Sequence, residues 1–346
     1  MGGVFEGGSV GGVFEVSRGD LSQTRVVAVG AGEPREGEVL FEVERFGFSA
    51  NNITYALLGE AARYWDLFPA EPGWGRIPAW GYLRVVASAV PGVEPGRRAL
   101  GLVPMGTRVL LRAGRVRPAT FTEQSAHRSG LSSVYNVYSW ADGAGTESDD
   151  ALLVLRPVFW LSFMLDDYLS GRPAAPVIVT SASSKAALGL AWLLRRRGIP
   201  VTGLTGHAGF AARHYDQVLG YDEVEALAPA DAVLVDIAGN AAVRDRVRRH
   251  LGGRLTETVV AGRTHQGDGD SGLFSAPQRI TDRAAELGWA ALEEHFSAAL
   301  AEFARSATWL RVDQARGLDG AARVYQQVLA NAVPPDRAHL VELTSV

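Results

Sequence analysis

The stretch Val177–Ala191, VIVTSASSKAALGLA, decides the fold. Val177–Thr180 reads as a buried strand, Ser181-Ala182-Ser183-Ser184 as a turn of small residues. A helix with an apolar face then starts near Lys185, carries basic residues at its end and stops at Gly198. Working outward, Val201–Leu204 predicts the next strand and Ala211–Leu219 a short helix ended by Gly220. Ala232–Asp236 predicts a strand, Val243–His250 a helix and Thr258–Ala261 a strand. Strand and helix alternate across short loops, which predicts a doubly wound parallel sheet, an α/β class domain. The helical patterns Trp289–Ser306 and Gly320–Ala330 and the extended piece His339–Thr344 follow.

Before Val177 the texture differs. Short strands such as Thr24–Val29, Val39–Phe46, Tyr82–Ser88 and Arg108–Leu111 are separated by Gly and Pro, with one helical stretch near Asn51–Leu58. This predicts an irregular, β-rich domain, a partly closed barrel. Residues 141–150 (ADGAGTESDD) read as a linker, and ALLVLRPVFWLSFMLDDYL after them as a helix interrupted at Pro157. Residues 1–16 repeat GGVFE and read as a flexible leader. The predicted division is therefore a leader at 1–16, a β-rich domain at 17–150 completed by about 300–346, and a dinucleotide-binding domain at 151–299.

Composition narrows the function classes. The 346 residues are 47% hydrophobic and 21% charged, with a net charge of −4 and no cysteine. No basic excess points to nucleic acid, and no apolar run reaches the roughly 18 residues of a membrane span. The N-terminus lacks a secretory h-region, so the expected compartment is cytoplasmic. The absence of cysteine excludes disulfides, a thiol nucleophile and Cys-ligated zinc. The seven histidines show no paired ligand spacing, so no metal is predicted. Neither a G-x-S-x-G elbow nor a G-x-x-x-x-G-K-[ST] loop occurs.

The turn after Val177 carries the chemistry. A helix N-terminus offers free N–H groups and a partial positive charge, and Ser181, Ser183, Ser184 and Lys185 add donors for a pyrophosphate. Alone, the unit fits an N-capped helix equally well, with Ser184 as the cap. The αβ alternation that follows favours a ligand at the carboxyl ends of the strands. After the second strand no acid stands where NAD sites place one; Thr205, His207 and, further on, Arg213 suit a 2′-phosphate, which predicts NADP(H). Small residues at later strand ends, Gly239 and Gly262, let a dinucleotide lie close to the backbone. Thr264 and His265 follow them, His265 as an acid or hydrogen-bond donor. In the β-rich part Tyr55 is a candidate proton donor, and Tyr64, Trp65, Phe68, Trp74, Trp80 and Tyr82 are candidates for an apolar pocket. For each of these side chains, packing or a solvated surface remains the competing reading.

Several strings, FGFSANNITYALLGE (46–60), RPVFWLSFMLDDYL (156–169), TSASSKAALGLA (180–191), LGYDEV (219–224), DIAGNAAVRDRVRRHLG (236–252) and VAGRTH (260–265), resemble the uncharacterised DUF2855 family. The order of the chain from about residue 20 is similar to the zinc-free quinone and enoyl reductases of the medium-chain dehydrogenase/reductase superfamily. That resemblance implies a GroES-like domain beside a Rossmann-type domain, NADPH, a small-molecule carbonyl substrate and a homodimer. It aligns Asn52 with an Asp of a substrate-facing helix and Tyr55 with a region holding a proton-donating tyrosine. Ser162 falls on a Thr beside the nicotinamide, Ser181 to Ala187 on the glycine-rich A-x-G-G-V-G loop, and Phe274 with Pro277 on an F-x-x-P stretch. Ser184, Lys185 and Ala187 stand where that loop has glycines, and the zinc-ligand cysteines are missing. The implied activity is zinc-independent, NADPH-dependent reduction of an enone, quinone or related carbonyl compound. The alternatives on the same fold are a cofactor-independent lyase, isomerase or cyclase, and a non-catalytic nucleotide sensor.

Overall fold

A computed structural model of the chain describes residues 10–30, 32–142, 148–237, 239–261 and 274–343. The chain forms two compact units: residues 1–154 with 310–346, and residues 155–309.

The first unit begins with β1 (Val10–Ser17), β2 (Thr24–Gly30), β3 (Glu38–Phe48), α1 (Ala50–Leu57), β4 (Trp74–Gly75) and β5 (Pro78–Ser88). It continues with β6 (Arg98–Pro104), β7 (Arg108–Gly114), β8 (Thr120–Glu123) and β9 (Val137–Trp140). Residues 10–16 are thus not a leader. They pair antiparallel with β2 and bury Val13, Phe14 and Val16, and that apolar burial holds the strand in place. Residues 1–9 lie outside the described residues, as does 143–147 of the expected linker.

Helix α2 (Ser148–Ser170) carries the chain onward and runs unbroken through Pro157. The sequence had predicted a break there. Pro157 cannot donate to the carbonyl of Leu153, and that carbonyl faces Gly47, which packs so closely that an added Cβ would lie 3.0 Å from Val154.

The second unit is the alternating half: β10 (Val177–Thr180), α3 (Lys185–Arg196), β11 (Val201–Leu204), α4 (Ala208–Ala211), β12 (Gln217–Leu219), β13 (Ala232–Asp236), α5 (Ala241–Leu251), β14 (Leu255–Val260), α6 (Ala276–Leu287) and α7 (Trp289–Ser306). Its strands form one parallel sheet in the order β12-β11-β10-β13-β14. This is the doubly wound arrangement, with the order reversing beside β10. The segment 211–219 is not one helix. A single turn, α4, is followed by a return to the sheet as β12, whose Leu219 is buried beside Leu204.

The chain then returns to the first unit as β15 (Arg311–Arg316), α8 (Gly317–Leu329) and β16 (Arg337–Glu342). There the large sheet runs β15-β16-β3-β5-β6-β9-β8-β7, and β7 pairs back onto β3, closing a barrel. Phe41, Phe46, Phe121 and Tyr138 fill its core.

Helix α3 sits against α2 through Gly189. A Cβ there would lie 2.7 Å from Ser162 Oγ and 2.9 Å from the Phe159 ring, both fully buried. Gly189→Ala is therefore expected to destabilise the protein by about 1–3 kcal/mol through overpacking. Urea denaturation checks this, and an unchanged midpoint contradicts the close-packing account.

Candidate functional site: the turn between β10 and α3

The strand–turn–helix is built by backbone rather than by glycine. Ser181 takes a left-handed conformation, φ 51°, which costs an L-residue on the order of 1 kcal/mol. Neighbours hold it there: Ser181 N donates to the Tyr221 hydroxyl (3.2 Å), and Ser184 N donates to Ser181 O (2.7 Å). Beneath the turn, Ala182 N donates to Leu204 O and the Tyr215 hydroxyl donates to Ala182 O (2.8 Å). Gly203 allows this approach, since a Cβ on it would lie 2.7 Å from that of Ala182.

Ser184 caps α3, its hydroxyl accepting from Ala187 N (3.2 Å). The amides of Ser183 and Ala186 have no acceptor among the described residues. They are left facing a helix N-terminus with its partial positive charge. Ala187 is completely buried, so its methyl group points into the core and not across the turn.

The carboxyl ends of the neighbouring strands complete the site. Thr205 Oγ1 donates to Ser183 Oγ (3.1 Å) and accepts from His207 N (3.1 Å), linking the end of β11 to the turn. His207 is exposed and opens α4. On the other side stands a buried carboxylate. Asp236 accepts from Thr180 Oγ1 (2.6 Å) and Gly239 N (3.1 Å), and pairs with Arg244 at 2.8 Å. Gly239 has φ 72°, which a glycine adopts freely. Asp236 and Arg244 had escaped the sequence reading. Their signal was an apolar strand ending in Asp, with a glycine three residues on.

The structure thus brings together Ser181, Ser183, Ser184, Lys185, Thr205 and His207, with Gly239 across the Asp236 network. Other predicted cofactor residues lie elsewhere. Ser162 is buried, and its hydroxyl is spent on the carbonyls of Ala186 (2.7 Å) and Val158 (3.3 Å), tying α2 to α3. Arg213 is not at the carboxyl ends. The single-turn α4 brings the chain back early, so Arg213 lies with Ile199 and Pro200, before β11. The Phe274 ring packs on Tyr168, centroids 5.5 Å apart. Gly262, Thr264 and His265 lie outside the described residues.

In the first unit, Tyr55 is buried in α1 against Tyr64 (4.8 Å between ring centroids), and the Tyr64 and Tyr135 hydroxyls are 2.9 Å apart. The side chains of Asn51 and Trp80 lie near the Tyr55 hydroxyl and partly offset the effect of its burial. Asn52 serves the fold: Oδ1 accepts from Ser49 N (2.9 Å), and Nδ2 donates to Pro78 O (2.9 Å). Of the candidate pocket aromatics, Trp65, Phe68, Trp80 and Tyr82 are buried core, while Arg25 covers Trp74. Tyr135, 71 residues from Tyr64, left no local signal.

Burial raises the pKa of Tyr55, Tyr64 and Tyr135, so each stays protonated well beyond neutral pH. Their stabilising contribution is complete below about pH 10, where unfolded tyrosines titrate, and is lost as pH rises further. Stability should fall above about pH 10 by up to ~1.4 kcal/mol per pH unit for each tyrosine. The slope should be shallower in a Tyr64→Phe/Tyr135→Phe variant; identical alkaline slopes in urea titrations would contradict this. Separately, Asp236→Asn should cost about 3 kcal/mol by removing the buried charge that pairs with Arg244. Adding Arg244→Met to that variant should cost little more, which a double-mutant cycle by chemical denaturation measures.

The fold is that of the medium-chain dehydrogenases and reductases, a Rossmann-type unit with a GroES-like β unit. CurA from Vibrio vulnificus, solved in complex with NADPH, matches with a TM-score of 0.64 at 14% identity, over 97% of this chain and 100% of that one. CurK enoyl reductase matches with 0.59 at 12% identity, over 96% and 99%. A thermostable alcohol dehydrogenase from Pyrobaculum aerophilum gives 0.58 at 15% identity, over 96% and 100%. Within that fold, residues 46–334 match the family model described as protein of unknown function (DUF2855), and the chain belongs to that family. No curated protein matches it by sequence. Among the described residues no helix is long and apolar enough to cross a membrane.

Proposed function

We propose that this protein is an NADPH-dependent, zinc-independent oxidoreductase that reduces an enone, quinone or related carbonyl compound. The observation that carries the reading is the β10–α3 turn, whose Ser183 and Ala186 amides have no acceptor among the described residues, at the switch point of a doubly wound sheet. Those amides would hold a pyrophosphate, with Lys185 beside them at the first helical position. The replacements for loop glycines support cofactor retention. Ser184 turns its hydroxyl inward as a cap, Ala187 is buried, and Ser181 already has the backbone shape that a glycine would supply. The selectivity for NADPH over NADH rests on Thr205 and His207, since no carboxylate ends β11.

NADPH supplies the reducing equivalent, and the protein's part is binding, orientation and a proton. That proton is assigned to Tyr55, whose buried hydroxyl stays protonated. Tyr64 and Asn52 are positioning residues: one packs on the Tyr55 ring, the other fixes the start of α1. Cytoplasmic location and a homodimer complete the proposal.

Calorimetry tests it. NADPH should bind with a dissociation constant of about micromolar order, NADH at least about tenfold more weakly, and Lys185→Ala should lower NADPH affinity about tenfold. Tyr55→Phe should lower kcat in turnover assays on carbonyl substrates without changing NADPH affinity. Absence of NADPH binding by the folded protein overturns the proposal.

A further inference from the structure

The second unit also holds a cavity of about 590 Å³, of the size that takes a small organic molecule. It lies at the amino ends of β11 and β12, between the last turns of α3, the end of α7 and the segment after α4. The turn at Ser181–Ser184 is at the opposite, carboxyl end of the sheet. Trp192 and Trp309 wall it, both half-buried.

Its charges do not cancel. Arg195 pairs with Asp216 at 3.3 Å, and the second carboxylate oxygen of Asp216 accepts from Val201 N at 2.8 Å. Arg196 pairs with Glu302 and lies over the Trp192 ring, 4.5 Å from its centroid. Arg213 has no carboxylate partner among the described residues. The neighbouring His214 packs edge-on against Trp309 at 5.8 Å, and its Nε2 is closed off from solvent with no hydrogen-bond partner among the described residues. An orphaned buried nitrogen is costly and calls for an explanation. Burial, with Arg213 and Arg195 nearby, lowers the His214 pKa, so the ring is neutral near pH 7. One guanidinium without a carboxylate partner among the described residues, a neutral imidazole and two indoles therefore line one cavity.

We infer that this cavity binds a small monoanion with a flat aromatic body, an aromatic carboxylate, whose charge pairs with Arg213 and whose ring lies against Trp309. A single uncompensated guanidinium matches one negative charge, and the planar fork suits a carboxylate. The indole faces suit an apolar plane and not a bare inorganic ion. The site is independent of the proposed cofactor turn.

The test uses the full chain and 2-naphthoate, with 2-naphthamide and inorganic phosphate for comparison. Calorimetry should show one naphthoate per chain, with the amide and phosphate each at least about tenfold weaker. Arg213→Gln and Trp309→Leu should each weaken naphthoate about tenfold. Arg213 is exposed, so its variant should keep the wild-type melting temperature and circular dichroism. By NMR, naphthoate should raise the His214 pKa. No naphthoate binding, equal binding of the amide, or unchanged affinity in Arg213→Gln overturns the inference.

Discussion

The carboxylate of Asp236 is the constraint around which the parallel unit is arranged. Completely buried, it joins the ends of two adjacent strands through Thr180 and anchors the next helix through Arg244. A buried charge is tolerated only when its partners surround it, so the strand ends cannot shift independently. Thr180 is the last residue before the turn, and its hydroxyl also accepts from Ile237 N (3.1 Å). The geometry of the turn is in this way inherited from the neighbouring strand, and Ser181 can be kept in a conformation it would otherwise leave.

This explains how the turn manages without the usual glycines. A glycine-rich loop is permissive, and something must hold it. Here tertiary bonds from Tyr215, Tyr221 and Thr205 do the holding, and the small side chains face inward or along the helix start. The strain at Ser181 is balanced by bonds contributed from the end of β11, the segment before β12 and the turn after it.

Much of this was legible in the sequence, for physical reasons that can be named. The parallel strands are buried on both faces and so read as apolar runs such as Val177–Thr180 and Ala232–Asp236. The cap Ser184 was legible because its signal is local. What failed was non-local. Ala211–Leu219 has helical composition, yet pairing with β11 turned its end into a strand. Arg213 was misplaced as a consequence. The GGVFE repeat reads as a flexible leader, but pairing with β2 makes its second copy a core strand. Ser162 has a hydroxyl like any surface serine, and only the packing of two helices reveals that it is sealed. The Tyr64–Tyr135 pair depends on a contact that no spacing rule anticipates.

The barrel unit is assembled from the segments that precede and follow the parallel unit in the sequence. Strand β16 pairs with β3, and the Tyr325 hydroxyl donates to Leu21 O across 304 positions of sequence. The parallel unit, by contrast, is one continuous segment whose neighbouring strands are close in sequence. Loop-closure entropy makes distant pairings slow to form. During synthesis the parallel unit can complete its sheet as soon as it leaves the ribosome, while the Arg45–Phe48 end of β3, beyond the stretch that β7 covers, must wait with one edge unpaired until β16 arrives. An exposed strand edge is a route to association with other chains. The interval between the emergence of β3 and that of β16 is therefore when that edge is open to pairing with another chain.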